Sequence, residues 1–181
     1  MTSSNEWVST SAPYIKPRPK MDGDAWAAEA AAQGSVGRQT LTAAGEEPAP
    51  SSIAGYLGLA AGEAVIARHR TIYANDTPVE LASTYYPLAI ASGTALAEPR
   101  KIKGGAVALL VELGFTTVRV REDITARMPT VEEQVALDAP ADEPVLILAR
   151  LSLDENDRPL QADLMISPAR FRRLQYELKV A

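Results

Sequence analysis

The sequence predicts an α+β domain built around a mostly antiparallel sheet with short helices around it, and three observations carry that expectation. Two pairs of strand-patterned runs are each joined by a short turn: Val65 to Tyr73 with Val79 to Tyr86, and Pro144 to Leu153 with Pro159 to Ser167. The segments around them are short, apolar at helical spacing and stopped by Gly34, Gly58 and Gly114. The 181 residues, 46% hydrophobic and 23% charged, suit a single soluble core.

Residues 1–23 carry Pro13, Pro17 and Pro19 among serines and threonines, and read as an extended arm tied to the body through Trp7, Tyr14 and Ile15. Met1 suggests a natural start. Residues 24–58 read as a helical and irregular lead-in. Asp24 offers an N-cap for Ala25 to Gln33, Gly34 stops that helix, and a second helix runs from Ser51 to Leu57 up to Gly58. Between them Arg38 to Ala44 is a candidate short strand. The remainder, 59–181, is the main domain.

From residue 64 the period changes to two, and Asn75-Asp76-Thr77-Pro78 supplies the turn of the first hairpin. Helical turns are expected at Leu88–Ala91 and Thr94–Ala97, and a helix over Gly104 to Leu113. Thr117 to Arg127 alternates as a strand. Thr130 and Glu133 form a capping box for a helix to Leu137. The second hairpin turns at Asp154–Arg158, and Phe171 to Val180 closes the chain as a final strand.

Composition removes several function classes. Eighteen Lys and Arg against 23 Asp and Glu give a net charge of −5, the wrong sign for a stand-alone nucleic-acid binder. With no cysteine there is no disulfide framework, Cys-ligated zinc or thiol nucleophile, and a single His69 argues against a Ser–His–Asp triad or a multi-His metal site. No apolar run reaches a membrane span and the polar N-terminus lacks a signal-peptide core, which makes the cytoplasm the expected compartment.

Arg68-His69-Arg70 is the first candidate for chemistry. Residues two apart on a strand share a face, so two guanidiniums project together about 7 Å apart, a spacing suited to a carboxylate or phosphate. A hairpin turning at 75–77 places Glu80 opposite Arg70, either as a structural ion pair or as an acceptor beside the bound anion. Arg119 and Arg121 share a face of the later strand, with Arg127 if it stays regular; a solvated face is the commoner meaning of such alternation. His69 is more often structural than a base. Glu132, Glu133 and Asp154 to Asp157 read as capping and turn residues, Arg100 to Lys103 as a solvated loop, and Gly104-Gly105 lacks the spacing of a phosphate-binding loop.

From about Gly58 onward the sequence resembles the UTRA domain, the ligand-sensing half of HutC-type regulators in the GntR superfamily. The resemblance runs in order through Leu57-Gly58-Leu59, Gly62-Glu63, Arg68-His69-Arg70, Asn75 to Glu80, Tyr85-Tyr86-Pro87, Ile90-Ala91, Gly93-Thr94, Glu112-Leu113-Gly114, Glu122-Asp123-Ile124, Pro144-Val145-Leu146 with Arg150, and Asp157-Arg158-Pro159. It implies a chorismate-lyase-like fold and a dimer that binds a small anionic metabolite, such as a phosphorylated sugar or carboxylate, to alter DNA binding by an N-terminal winged helix. It also implies a site of Arg68, Arg70 and Glu80, with Arg121 (or Arg119) from the later strand and Ser92, Gly93 and Thr94 from the loop. A family tyrosine aligns with Phe171.

No catalytic residue, metal or cofactor is implied. The DNA-binding half is expected to be missing, so no direct DNA or membrane binding is expected. The partners would be the effector and a second copy, or a full-length relative in a mixed dimer. A lyase acting on an anionic aromatic acid, or a ligand-free dimerisation partner, are the alternatives.

Overall fold

A computed structural model describes residues 7–16 and 25–177. In chain order they form β1 (Trp7–Ser9), α1 (Ala12–Ile15), α2 (Ala25–Ala32), β2 (Gly37–Pro48), α3 (Ser51–Leu57), β3 (Ala64–Ala74) and β4 (Thr77–Pro87). Then follow α4 (Leu88–Ala91), α5 (Ala106–Glu112), β5 (Arg119–Arg127), α6 (Val131–Leu137), β6 (Val145–Leu153), β7 (Pro159–Pro168) and β8 (Arg172–Leu174).

Six strands make one sheet in the order β2-β3-β4-β7-β6-β5, every neighbouring pair antiparallel. The two hairpins are β3–β4 and β6–β7, joined through β4 and β7 at the centre. Local chemistry accounts for much of this. Asn75 turns the first hairpin at φ 54°, a left-handed conformation that asparagine tolerates well. Gly58 ends α3 at φ 68°. Thr130 and Glu133 make the reciprocal capping box at the start of α6.

Two expectations are corrected. The strand expected at Arg38 to Ala44 is a twelve-residue edge strand, because its backbone pairs with β3 along the whole length of that strand. The final strand expected over Phe171 to Val180 is a 3-10 turn at Ala169–Phe171 followed by the three residues of β8, and 178–181 lie outside the described residues. Instead of joining the main sheet, β8 pairs in parallel with β1, which holds the N-terminal arm against the body. The N-cap assigned to Asp24 also lies outside the described residues.

The pleat sends alternate residues to opposite faces. One face packs on α3 and α6, where Ile53, Leu57, Val65, Ala67, Tyr85, Leu151 and Ala162 form the largest buried cluster and Leu137 with Val145 a second. The other face is covered by α2, by the arm and by the segment from α4 to α5. There Trp26 packs with Ile72, Val79 and Ala82, and Tyr86 with Ile90, Leu96, Leu110 and Leu160.

Candidate functional site

On that second face the cover does not seal against the sheet. A cavity of about 610 Å³ lies between the floor strands, the arm residues Thr10 to Lys16, Trp26 of α2, and the loop Lys101 to Gly105. This volume is in the range of small-molecule sites. Lys16, Arg68, Arg70, Lys101, Lys103, Arg150 and Arg172 line it, against the acidic Glu80 and Asp163. A chain of net charge −5 thus concentrates cations around one cavity.

Strand register assigns the floor. Arg68 stands beside Thr84, Asp163, Arg150 and Glu122 on successive strands, a polar row running across the sheet. One pleat further, Arg70 stands in a row with Leu41, Ala82, Met165 and Leu148. The next row holds Ile72 and Glu80. Glu80 therefore faces Ile72, and Arg70 faces Ala82, rather than each other. Two steps account for this: the turn consists of Asn75 and Asp76 with Ala74 opposite Thr77, and a bulge after Ile72 admits Val79 as an extra residue, each advancing β4 by one position.

The charged floor groups do different things. Arg68 is 6% exposed, and its guanidinium donates to the main-chain carbonyls of Leu96 (2.9 Å), Glu98 (2.7 Å) and Arg100 (2.7 Å). Burial, with Arg70 nearby, lowers its pKa. Three of its five N–H donors thus hold the loop that roofs the cavity. Arg70 donates through Nη2 to Thr84 Oγ1 (2.9 Å) and through Nη1 to Gln39 Oε1 (3.3 Å), while its Nε is buried with no acceptor. The Thr84 hydroxyl in turn donates to Asp163 Oδ1 (2.8 Å), which also accepts from Gln161. Glu80 is held by Arg172 and by the Ser167 hydroxyl, so its charge is met inside the protein.

Arg150 completes the row. Its Nε pairs with Glu122 at 2.6 Å in a buried ion pair, and its Nη2 donates to Ser11 of the arm at 3.0 Å. Burial would raise the Glu122 carboxyl, but donation from Ser11, Arg150 and Tyr176 outweighs it and holds the group below the usual carboxylate value. Tyr14 of the arm donates to Glu29, and burial pushes its hydroxyl pKa up. The Tyr86 hydroxyl is raised by burial and by Asp163.

The residues proposed from sequence divide accordingly. Arg68, Arg70 and Glu80 line the cavity; Arg121, Ser92, Gly93 and Thr94 do not. β5 is the far edge strand, separated from the first hairpin by β7 and β6. Its odd residues face α3 and α6: Arg121 lies over the Tyr56 ring (5.3 Å) and near Asp123, and Arg127 pairs with Glu133 at 2.6 Å. Arg119 pairs with Asp157 at 2.6 Å. The Thr94 hydroxyl donates to Ala91 O, closing a local turn. Phe171 is buried in the cluster around Trp26.

The cavity is also lined by Arg150 of β6 and its neighbour Asp163, which the sequence reading did not single out. Each is a lone charge inside an otherwise apolar strand, and that was the available signal. His69 is held between Ser83 Oγ on Nδ1 (2.8 Å) and Glu47 Oε2 on Nε2 (3.0 Å) on the opposite face, a chain that ties β2, β3 and β4 together. Among the described residues no group of three or more His, Asp or Glu is placed to hold a metal, and no helix is long and apolar enough to cross a membrane.

The mostly antiparallel six-stranded sheet with helices around it is the fold of the effector domains of GntR-type transcriptional regulators. The effector domain of PhnF from Mycobacterium smegmatis superposes with TM-score 0.72 at 23% identity, over 91% of this chain and 99% of that one. The C-terminal domain of the histidine utilization repressor from Pseudomonas syringae pv. tomato gives 0.67 at 21%, over 80% and 99%. A protein assigned to the GntR family of transcriptional regulators gives 0.74 at 23%, and there the chain spans 83% of itself but 62% of the other. The chain belongs to the UTRA domain family, whose model matches residues 32–172. That match begins upstream of Gly58 because β2 and α3 are integral to the sheet and its core. None of the curated protein sequences matches this chain.

Proposed function

We propose that this effector domain senses a small anionic metabolite in the cavity above β3, β4, β7 and β6, and signals through a dimer. The observation that carries the reading is Arg70: a guanidinium at the cavity floor whose Nε is buried with no acceptor, beneath the exposed Lys101 and Lys103 of the loop. An unmet buried donor on a permanently charged group costs free energy that an anion would recover. Arg68 acts by holding the loop in place, and Glu80 by orienting Arg172. Neither Arg121 nor the 92–94 segment enters the site in this reading.

Dimerisation is supported by two surfaces away from the cavity. β5 leaves one side of its backbone unpaired, and α6 exposes Val131 (69%) and Val135 (80%), one turn apart, with Met128 close by in the chain. A ligand touching both the floor and the arm would then bias the arm's position by its differential affinity for two arrangements. Isothermal titration of the purified chain with a panel of phosphorylated and carboxylated metabolites tests this. Binding that Arg70→Gln weakens at least tenfold is expected. A folded wild-type protein that binds no anion in the panel would sink it.

A further inference from the structure

The cavity is polar at one end and apolar at the other, and the two ends have different roofs. At the polar end the floor is the row Arg68, Thr84, Asp163 and Arg150, and the roof is the loop that Arg68 holds through the Arg100 carbonyl, carrying Lys101 and Lys103. At the other end the floor is Leu41, Ala82, Met165 and Leu148. The walls there are Ile72, Val79 and Leu174, and the cover is Trp26 with Pro13 of the arm. Successive same-face residues on a strand are about 7 Å apart, so the floor from Arg68 to Ile72 spans about 14 Å.

The cavity-lining polar groups Tyr14, Glu80 and Arg172 at the apolar end are already hydrogen-bonded, although Glu29 Oε1 is buried without a partner among the described residues. Tyr14 donates to Glu29, and Arg172 and Ser167 both donate to Glu80. The buried donor left without an acceptor among the described residues is Arg70 Nε, on a guanidinium that reaches into the polar row through Thr84. A ligand covered in hydroxyls would have to leave many of them unpaired against the second row, at a cost for each.

We propose that the effector is an amphipathic anion, with an anionic head at Arg70 beneath Lys101 and Lys103 and a hydrocarbon or aryl body lying over Ala82, Met165 and Leu148 beneath Trp26. Ala82 is central to this geometry. Opposite the longest side chain of its row stands one of the smallest, and the volume it leaves free is where the body rests. This inference rests on the anion-binding reading above and narrows its ligand class.

The test is a chain-length series with a constant head: acetate, butyrate, hexanoate and octanoate, against glucose 6-phosphate and inorganic phosphate. Titration calorimetry reads affinity, and emission of the cavity-lining Trp26 reports occupancy. Affinity should rise about fourfold per methylene until the apolar end is filled, or about two orders of magnitude from butyrate to octanoate. Met165→Gln, of similar length, should flatten that slope, whereas Arg70→Gln should weaken every member alike. Glucose 6-phosphate binding at least tenfold tighter than octanoate would overturn the amphipathic class while leaving the anion site intact. A slope unchanged in a folded Met165→Gln would overturn the placement. Absence of binding by every carboxylate and phosphate would overturn both readings together.

Discussion

Arg68→Met removes three hydrogen bonds from a charged donor to the Leu96, Glu98 and Arg100 carbonyls while nearly conserving side-chain length. A hydrogen bond involving a charged group contributes about 1.5–3 kcal/mol. The simple sum overstates the loss, because Arg100 is exposed and Glu98 half-buried, so water replaces the donor at two of the three carbonyls. The Leu96 carbonyl belongs to a fully buried residue and stays unmet. Removing the buried guanidinium also removes its desolvation cost. A loss of about 2–4 kcal/mol follows, near one strong bond plus part of the others. Urea unfolding measures it, and hydrogen exchange should show faster exchange across residues 94–105 with the sheet amides unchanged. Destabilisation below about 0.5 kcal/mol with normal loop protection, the level of an ordinary surface substitution, would refute the clamp. An effect confined to ligand affinity would instead restore Arg68 to the role of a direct anion contact.

Four further outcomes are expected. A methyl group on Gly37 would meet Ala30 Cβ at 2.8 Å and Trp26 O at 2.9 Å, so Gly37→Ala should push α2 from the sheet, cost about 1–3 kcal/mol, and shift the Trp26 emission; unchanged emission and melting would contradict this. Thr130→Ala removes the hydroxyl that caps Glu133 N and should cost about 1 kcal/mol in thermal unfolding. Glu122 and Glu133 are both held below the ordinary carboxylate value, Glu133 chiefly by donation from Arg127. Their stabilisation is complete above the unfolded value of about 4.3 and is lost as pH falls through the lower folded values. Urea midpoints from pH 7 to pH 3 should fall less steeply in Glu122→Gln than in wild type, and parallel curves would count against it. Finally, Val135→Glu should shift the mass measured by light scattering towards the monomer without altering the melting of the subunit.

Much of the fold was legible because it is written in short-range chemistry. Asn75 in a left-handed turn, Gly58 after α3, the Thr130–Glu133 box and the alternation of β3, β4, β6 and β7 each need only a few neighbouring residues. The shared face of Arg68 and Arg70 followed from the strand period alone. The residues that were misplaced depend on partners far away in the chain. The two-residue turn Asn75-Asp76, which sets Ala74 opposite Thr77, and the extra residue at Val79 each advance β4 by one position, and together they put Glu80 opposite Ile72 instead of Arg70.

The choice of arginine shows the same division. Arg121 and Glu122 are adjacent in β5, yet one faces Tyr56 of α3 and the other Arg150 on the cavity side. Sequence determined that these neighbours must point to opposite faces; only the packing of α3 and α6 against one face decided which was which. Sequence likewise determined that the cavity would hold paired arginines. Tertiary structure decided that Arg68 makes three bonds to the carbonyls of its roof while Arg70 keeps a donor unmet among the described residues, because hydrogen-bond satisfaction depends on groups some thirty residues distant meeting in space.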